Sequence, residues 1–128
     1  MVSQLAAARR LYDAFAARDP RAIRDSLHED FVGDVSAGMP LGVGGRHEGP
    51  EAMLRDVWAR VFAHYDMAVQ AEALLPSGDD RVTAIGRYRG IERGTGHEVE
   101  AAFAHILTIH EGRIVALEQI TDTAQWTP

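Results

Sequence analysis

Residues 86–122 read GRYRGIERGTGHEVEAAFAHILTIHEGRIVALEQITD, and their pattern predicts three consecutive β-strands. Side chains along a strand point alternately to its two faces, so His105 shares an inward face with the apolar residues Phe103 and Leu107. The same rule places Tyr88 and Gln119 on the inward faces of the neighbouring strands. Three polar side chains among core residues predict a pocket, and function is expected there.

The turn between the last two strands decides which of their residues face each other. A three-residue loop over residues 110–112, with Gly112 in the left-handed conformation, puts Leu117 and Gln119 on the same face as His105. A two-residue turn would reverse that pairing. We favour the first register because it gathers the larger apolar side chains on one face.

Length and composition indicate an ordinary globular domain. The 128 residues suffice for one core and are too few for two, so a single domain over residues 1–128 is expected. No apolar run approaches the roughly 20 residues that span a bilayer, which predicts that the protein has no membrane partner. The first residues show no basic region followed by an apolar run, so we expect no secretory signal and a cytoplasmic protein.

The residue types that are missing exclude several kinds of chemistry. The chain has no cysteine, and all 13 of its basic residues are arginine, so it has neither a thiolate nucleophile nor a lysine for a Schiff base. The net charge of -6, with arginines interspersed among acids, predicts that nucleic acid is not a partner. No pair of histidines has a carboxylate at convincing ligand spacing, and the glycine-rich stretch over residues 36–49 lacks the lysine of a phosphate loop. We therefore expect neither a metal site nor a cofactor.

The order of elements along the chain indicates the α+β class. Helical spacing predicts a first helix over residues 3–17, and Asp19 and Pro20 predict the start of a second helix that continues to Leu27. Gly49-Pro50-Glu51 opens a third helix. Helices followed by strands predict helices packed on one face of a curved antiparallel sheet. The candidate strands cover residues 31–35, 67–75, 81–90, 99–109 and 113–121.

Several of these segments resemble the SnoaL-like, ketosteroid-isomerase-related branch of the nuclear-transport-factor-2-like superfamily. The segments are GRYRG at 86–90, AAFAHILTI at 101–109, EGRI at 111–114 and QITDT at 119–123, together with the opening of the third helix. The resemblance implies a cone in which a bent sheet wraps around a long helix and encloses a pocket. It also implies a homodimer through the outer face of the sheet. It does not fix the activity, since the superfamily includes isomerases, polyketide cyclases, dehydratases, epoxide hydrolases and non-catalytic binders.

The resemblance does not carry over the catalytic residues of the steroid isomerases. Their first-helix tyrosine, their base aspartate and their late-strand aspartate correspond by our pairing to Leu11, Val35 and His105. The aldol cyclases of the SnoaL type have a last-strand acid near the position of Gln119, although their pocket histidine resembles His105. A neutral amide can hold a carbonyl but cannot shuttle protons.

The catalytic set of the limonene-epoxide-hydrolase relatives is also missing. Their arginine and aspartate on the strand over 81–90, and their last-strand aspartate, correspond to Gly86, Tyr88 and Gln119. Any catalysis by this chain must therefore use other groups.

Five residues remain as polar candidates for the site. His105 has an ordinary pKa near neutrality, which suits a general acid or base, although it could equally be a core histidine bonded to Tyr88 or Gln119. Tyr88 and Gln119 would orient a substrate carbonyl or hydroxyl. Asp34 points outward by alternation, and only a strand bulge would turn it inward as a catalytic partner. His47, in the glycine-rich loop, would lie at the mouth of the pocket.

Four aromatic side chains complete the candidate site, and two functions remain open. Tyr12, Phe15, Trp58 and Phe62 lie at helical spacing and would form either plain core or a wall that contacts the ligand. The first hypothesis is an enzyme that acts on a hydrophobic oxygenated metabolite such as a polyketide, by cofactor-free isomerisation, cyclisation or dehydration. The alternative is a non-catalytic dimeric protein that binds a small hydrophobic ligand, and the missing acids favour it.

Overall fold

The first two helices begin and end at residues typical of helix caps. The computed structural model describes residues 3–128, and helix α1 (Gln4–Ala17) begins where the side chain of Ser3 accepts a hydrogen bond from the backbone of Ala6 at 3.1 Å. Helix α2 (Pro20–Asp25) begins where Asp19 accepts from two backbone N–H groups. The prediction that α2 continues to Leu27 was wrong, because Leu27 begins the first strand and is fully buried there.

The third helix changes its winding along its length. An α-helical turn (Pro50–Ala52) is followed by a π-helical segment (Met53–Trp58) and then by an α-helical segment (Ala59–His64). These three form one continuous helix, α3. It opens at Gly49 as predicted, where a φ of 91° requires glycine. The π-helical segment was not predicted, and such segments are frequent at functional sites.

Six strands form one sheet in the order β2-β1-β6-β5-β4-β3. Neighbouring strands run antiparallel except β1 and β6, which are parallel. The strands are β1 (Leu27–Val35), β2 (Gly45–Glu48), β3 (Tyr65–Ser77), β4 (Arg81–Glu92), β5 (Glu98–His110) and β6 (Arg113–Thr121). Helices on one side of a mostly antiparallel sheet confirm the predicted α+β class.

The β5–β6 hairpin has the predicted faces but neither the predicted turn nor the pairing that such a turn would give. His105 and Gln119 share the inner face, as expected, but they pair directly, whereas a three-residue loop would have placed Leu117 opposite His105. The loop, however, has two residues rather than three, and both Glu111 (φ 54°) and Gly112 (φ 75°) are left-handed. The predicted faces are preserved because Val115 is an extra residue in β6, a bulge that compensates for the shorter turn.

The core lies between the helices and the inner face of the sheet. The stretch predicted as an irregular loop contributes to it, since Met39 and Val43 are buried and β2 forms within that stretch. After β6 a short 3-10 turn (Thr123–Gln125) directs Trp126 into the same core. Among residues 3–128, no helix combines the length and the apolar character needed to cross a bilayer.

Candidate functional site

A small cavity lies between α3 and the inner face of the sheet. Its volume is about 30 Å³, which is room for roughly one or two water molecules. Its polar groups belong to Tyr88, His105 and Gln119, the three residues predicted to face inward. The other lining residues are apolar: Phe15, Val35, Met39, Met53, Val57, Trp58, Val61, Phe62, Met67, Val69, Leu117 and Trp126.

The polar groups form one hydrogen-bonded chain. Nδ1 of His105 lies 2.8 Å from the hydroxyl of Tyr12, and Nε2 lies 2.6 Å from the hydroxyl of Tyr88. Nε2 of Gln119 donates to the hydroxyl of Tyr88 at 2.9 Å, and its Oε1 accepts from the backbone N–H of Ser36 at 3.2 Å. The chain therefore connects α1, β5, β4, β6 and the end of β1.

The backbone N–H of Ser36 fixes the direction of the bonds at Gln119, and the buried hydroxyl proton of Tyr88, which needs an acceptor, sets the direction of the others. A backbone N–H can only donate, so Oε1 of Gln119 is the acceptor there and Nε2 must donate to Tyr88. Tyr88 then donates its own proton to Nε2 of His105. Nε2 is thus unprotonated, and Nδ1 carries the ring proton and donates it to Tyr12.

Burial keeps the whole chain uncharged. His105 is 4% exposed, and desolvation lowers its pKa to about 3. Burial likewise raises the pKa values of Tyr12 and Tyr88 well above the ordinary value for tyrosine. At neutral pH the site consists of a neutral imidazole between two neutral phenols.

Aromatic packing holds the imidazole in place. The rings of Phe103 and His105 stack with centroids 4.0 Å apart and planes 12° apart. Tyr12 is also nearly parallel to His105, at 5.9 Å. A ring packed and hydrogen-bonded at both nitrogens has one orientation, so its lone pair at Nε2 has a fixed direction.

The predicted aromatic wall lies at the cavity. Phe15, Trp58 and Phe62 line it, and Phe15 contacts Trp58 edge to face at 5.2 Å. Tyr12 contacts the site through the hydrogen bond between its hydroxyl and His105, and it is not part of the wall.

Two predicted site residues lie elsewhere. Asp34 is exposed and follows simple alternation, because the irregularity in β1 comes before Val32 and does not turn Asp34 inward. His47 lies on β2, where Nε2 donates to the carbonyl of Val43 at 2.7 Å, and it does not line the cavity. The structure therefore brings neither residue to the His105 chain.

Trp126 is a part of the site that the sequence analysis missed. It is almost fully buried, packs edge to face on Tyr88 at 5.0 Å, and accepts a hydrogen bond at its carbonyl from Tyr65 at 3.0 Å. The available signal was a single large aromatic residue in an otherwise polar C-terminal segment. Met39 was missed too, because it lies in the glycine-rich stretch.

The structure also brings together a second histidine cluster that sequence spacing did not reveal. The ligand atoms of His28, His110 and Glu111 all lie within 4.8 Å of one another. The backbone N–H of Asp30 donates to Nδ1 of His28, so Nε2 carries the proton and donates to Glu111 at 3.1 Å, which lowers the pKa of Glu111. A metal-binding histidine usually donates from its other ring nitrogen, whereas Nδ1 of His28 accepts. The cluster therefore fits a surface hydrogen-bonded pair better than a metal centre.

Comparison with known protein families gives a match over most of the chain. A family model described as a SnoaL-like domain matches residues 8–117. No curated protein matches the chain.

Solved structures share the fold over nearly the whole chain. A nuclear-transport-factor-2-like protein from Burkholderia thailandensis is 28% identical, with a TM-score of 0.89 over 98% of this chain and 95% of that chain. One of unknown function from Burkholderia pseudomallei is 27% identical, with a TM-score of 0.86 over 97% and 94%. TerC, co-crystallised with polyporic acid, is 25% identical, with a TM-score of 0.84 over 94% and 92%.

Proposed function

The chain belongs to the SnoaL-like domain family, as its sequence resemblance predicts, and on this basis we propose that it is an enzyme of small-molecule metabolism. The proposed reaction is a cofactor-free proton transfer, such as an isomerisation, cyclisation or dehydration, on a hydrophobic oxygenated metabolite such as a polyketide. The observation that carries the proposal is the hydrogen-bonded chain from Tyr12 through His105 and Tyr88 to Gln119, the last three of which line an otherwise apolar cavity.

The proton transfer uses Tyr88 and His105 as one unit. The hydroxyl oxygen of Tyr88 takes a proton from the carbon next to a substrate carbonyl, while the proton of Tyr88 passes to Nε2 of His105. The electron pair of the broken C–H bond moves to the carbonyl oxygen, where the second N–H of Gln119 stabilises the enolate. The imidazolium then returns its proton through Tyr88 to another atom of the substrate, which leaves the enzyme unchanged.

The enolate offsets part of the cost of charging a buried imidazole. With a pKa of about 3, His105 alone is a weak base at neutral pH. An anion formed beside it favours the charged ring, so the pair separates charge only when substrate is bound.

Substrate entry requires the aromatic wall to move. A cavity of about 30 Å³ cannot hold a polyketide, whereas ligand sites usually measure several hundred Å³. Trp58 and Phe62 are only partly buried, so their side chains can rotate toward solvent without unfolding the core.

A non-catalytic ligand-binding protein is the second candidate function. It is favoured by one observation: all the residues that line the cavity are uncharged at neutral pH, and their polar groups bond to one another. Such a site can hold a neutral oxygenated ligand without performing chemistry. TerC, a protein of similar fold, was co-crystallised with a small organic molecule, polyporic acid.

We also propose a homodimer through the outer face of the sheet. Ile85, Ala104 and Ile120 form a row across β4, β5 and β6, and both isoleucines are exposed. An exposed apolar row in the middle of a sheet face is typical of an interface.

Deuterium exchange tests the enzymatic proposal directly. Hydrophobic ketones incubated in D₂O with the enzyme should gain deuterium next to the carbonyl faster than in buffer, as measured by mass spectrometry. His105→Gln should reduce this exchange at least about 100-fold, because it removes the proton acceptor. The control Asp34→Asn, at an exposed residue outside the site, should change it less than about twofold.

Two results would decide against the enzyme. Equal exchange in the wild type and in His105→Gln would remove His105 from the chemistry. A ligand that native mass spectrometry finds tightly bound, with no exchange at any of its carbons, would establish the binding protein instead.

A further inference from the structure

A larger, open cavity lies on the outer side of the aromatic wall, between the α1–α2 corner and α3. Its volume is about 300 Å³, which is within the range of small-molecule sites. Phe15, Trp58 and Phe62 line both this cavity and the inner one. They are therefore the partition between the two. We call the outer cavity the basin.

The charged residues around the basin are all of one sign. They are Arg18, Arg55 and Arg93, in a chain whose net charge is -6. Two of them are paired with acids outside the basin. Arg55 makes a double hydrogen bond with Asp56, at 2.9 and 3.0 Å, and Arg18 bonds to Asp66 at 2.9 Å.

Arg93 is different because it is fixed in place without an acidic partner. Its Nε and Nη2 both donate to the carbonyl of Phe62, at 3.3 and 3.2 Å, and its backbone N–H donates to the carbonyl of His64 at 2.8 Å. Within residues 3–128 no carboxylate lies at salt-bridge distance from its guanidinium. The side chain is held against the end of α3 and keeps its full charge at the rim.

Asp66 does not cancel the charge at this rim. The hydrogen bond from Arg18 is the main cause that lowers the pKa of Asp66, and Arg93 adds a weaker effect. One carboxylate beside two guanidinium groups leaves a net charge of about +1 at the rim. A guanidinium that is already positioned binds an anion with less loss of side-chain entropy.

We propose that the basin selects an amphipathic small molecule with one acidic group, whose apolar body packs on Phe15 and Trp58 and whose anion pairs with Arg93. This inference rests on the proposed function in treating the basin as the outer part of the same ligand site. A second copy of the chain fits the basin poorly, because a twofold interface would bring two rims of positive charge together.

Two fluorescent probes that differ by one sulfonate group test the proposal. 1-Anilinonaphthalene-8-sulfonate carries a sulfonate on the aromatic skeleton of N-phenyl-1-naphthylamine, which is uncharged. Fluorescence titration at low salt should give at least about tenfold tighter binding of the sulfonate. Raising the salt concentration should weaken the binding of the sulfonate probe and leave the binding of the neutral probe unchanged.

Three variants locate the binding of the two probes. Arg93→Gln should weaken the affinity for the sulfonate probe about tenfold and change the affinity for the neutral probe less than about twofold. Arg93→Lys should restore most of the lost affinity for the sulfonate probe. The matched control Arg55→Gln should change both probes less than about twofold, because Asp56 already neutralises Arg55. Ala59→Trp, at an exposed basin residue, should weaken both probes at least about tenfold by filling the space.

Equal binding of the two probes, or an unchanged sulfonate affinity in Arg93→Gln, would overturn the acid selectivity. Unchanged binding in Ala59→Trp would overturn the location. These outcomes are separate from the proposed function, because probe binding does not require His105. His105→Gln should bind both probes normally even though its deuterium exchange is lost.

Discussion

The two faces of strands β4, β5 and β6 depart from the usual pattern in opposite directions. On the inner face, where apolar residues are expected, His105 pairs with Gln119 and is buried. One residue earlier on β5, Ala104 lies on the outer face between Ile85 and Ile120, which are 40% and 50% exposed. Antiparallel sheets with one solvated face normally place apolar residues inside and polar residues outside.

The two faces differ in whether their unusual residues have partners within the chain. The polar groups of the inner face bond to one another, so they remain neutral and stable without a partner. The apolar groups of the outer face have no such partners within their own sheet. Buried polar groups on the inner face thus indicate a ligand site, whereas exposed apolar groups on the outer face indicate an interface.

The largest expected effect concerns the protonation of the inner face. The pKa of His105 is about 3 in the folded protein and about 6.5 in an unfolded chain. Between these values only the unfolded chain binds the proton, so stability falls as the pH is lowered below about 6.5. His105→Gln lacks this proton. Between pH 6.5 and 4 the wild type should lose about 3 kcal/mol more than the variant, measured by urea unfolding. Parallel pH profiles would show that His105 is not desolvated.

The next effect compares how much each face of β4 tolerates a change in side-chain size. A Cβ added at Gly86, on the inner face, would lie 2.0 Å from the backbone oxygen of Gln70 and 2.7 Å from the ring of Phe103. Gly86→Ala should therefore reduce the free energy of unfolding by about 3 kcal/mol. The neighbouring change Ile85→Ala, on the outer face, should cost less than about 1 kcal/mol. Equal losses in denaturant titrations would mean that the close approach at Gly86 is relieved by strand movement.

A smaller effect tests whether the inner hydrogen bonds are coupled. Tyr88→Phe leaves the amide of Gln119 and Nε2 of His105 without their partner, and it should cost about 2 kcal/mol of unfolding free energy. Tyr12→Phe breaks one bond rather than two and should cost about half as much. Thermal and urea unfolding measure both variants. A larger loss from Tyr12→Phe would contradict the assignment of two bonds to Tyr88 and one to Tyr12.

The smallest effect on the folded chain is expected from the outer face. Ile120→Glu should change the stability of the monomer by no more than about 0.5 kcal/mol. It should, however, dissociate the proposed dimer, because it places two charges within an apolar contact. Analytical ultracentrifugation detects the change. Leu5→Glu, also at an exposed apolar residue but on α1 rather than on the sheet, is the control and should leave the assembly intact.

The sequence predicted the site residues on the strands correctly but not all of the residues that surround them. Alternation placed Tyr88, His105 and Gln119 on one face because the period of a strand is a local property. The same rule put Asp34 outward, and the structure agrees, although a bulge would have been needed for the role proposed for it. The faces of the hairpin residues were predicted correctly only because two errors compensate, since neither the two-residue turn nor the bulge at Val115 was predicted.

The sequence by itself determined the α+β fold, the order of its elements and the inward direction of the polar trio, because these depend on residues that are near one another in the chain. Only the tertiary structure decided that Tyr12 bonds to His105, that Trp126 packs on Tyr88, and that Arg93 lies beside the basin. Each of these contacts joins segments that are far apart in sequence. Local periodicity fixes the direction of a side chain, but its partner is set by how the whole chain closes on itself.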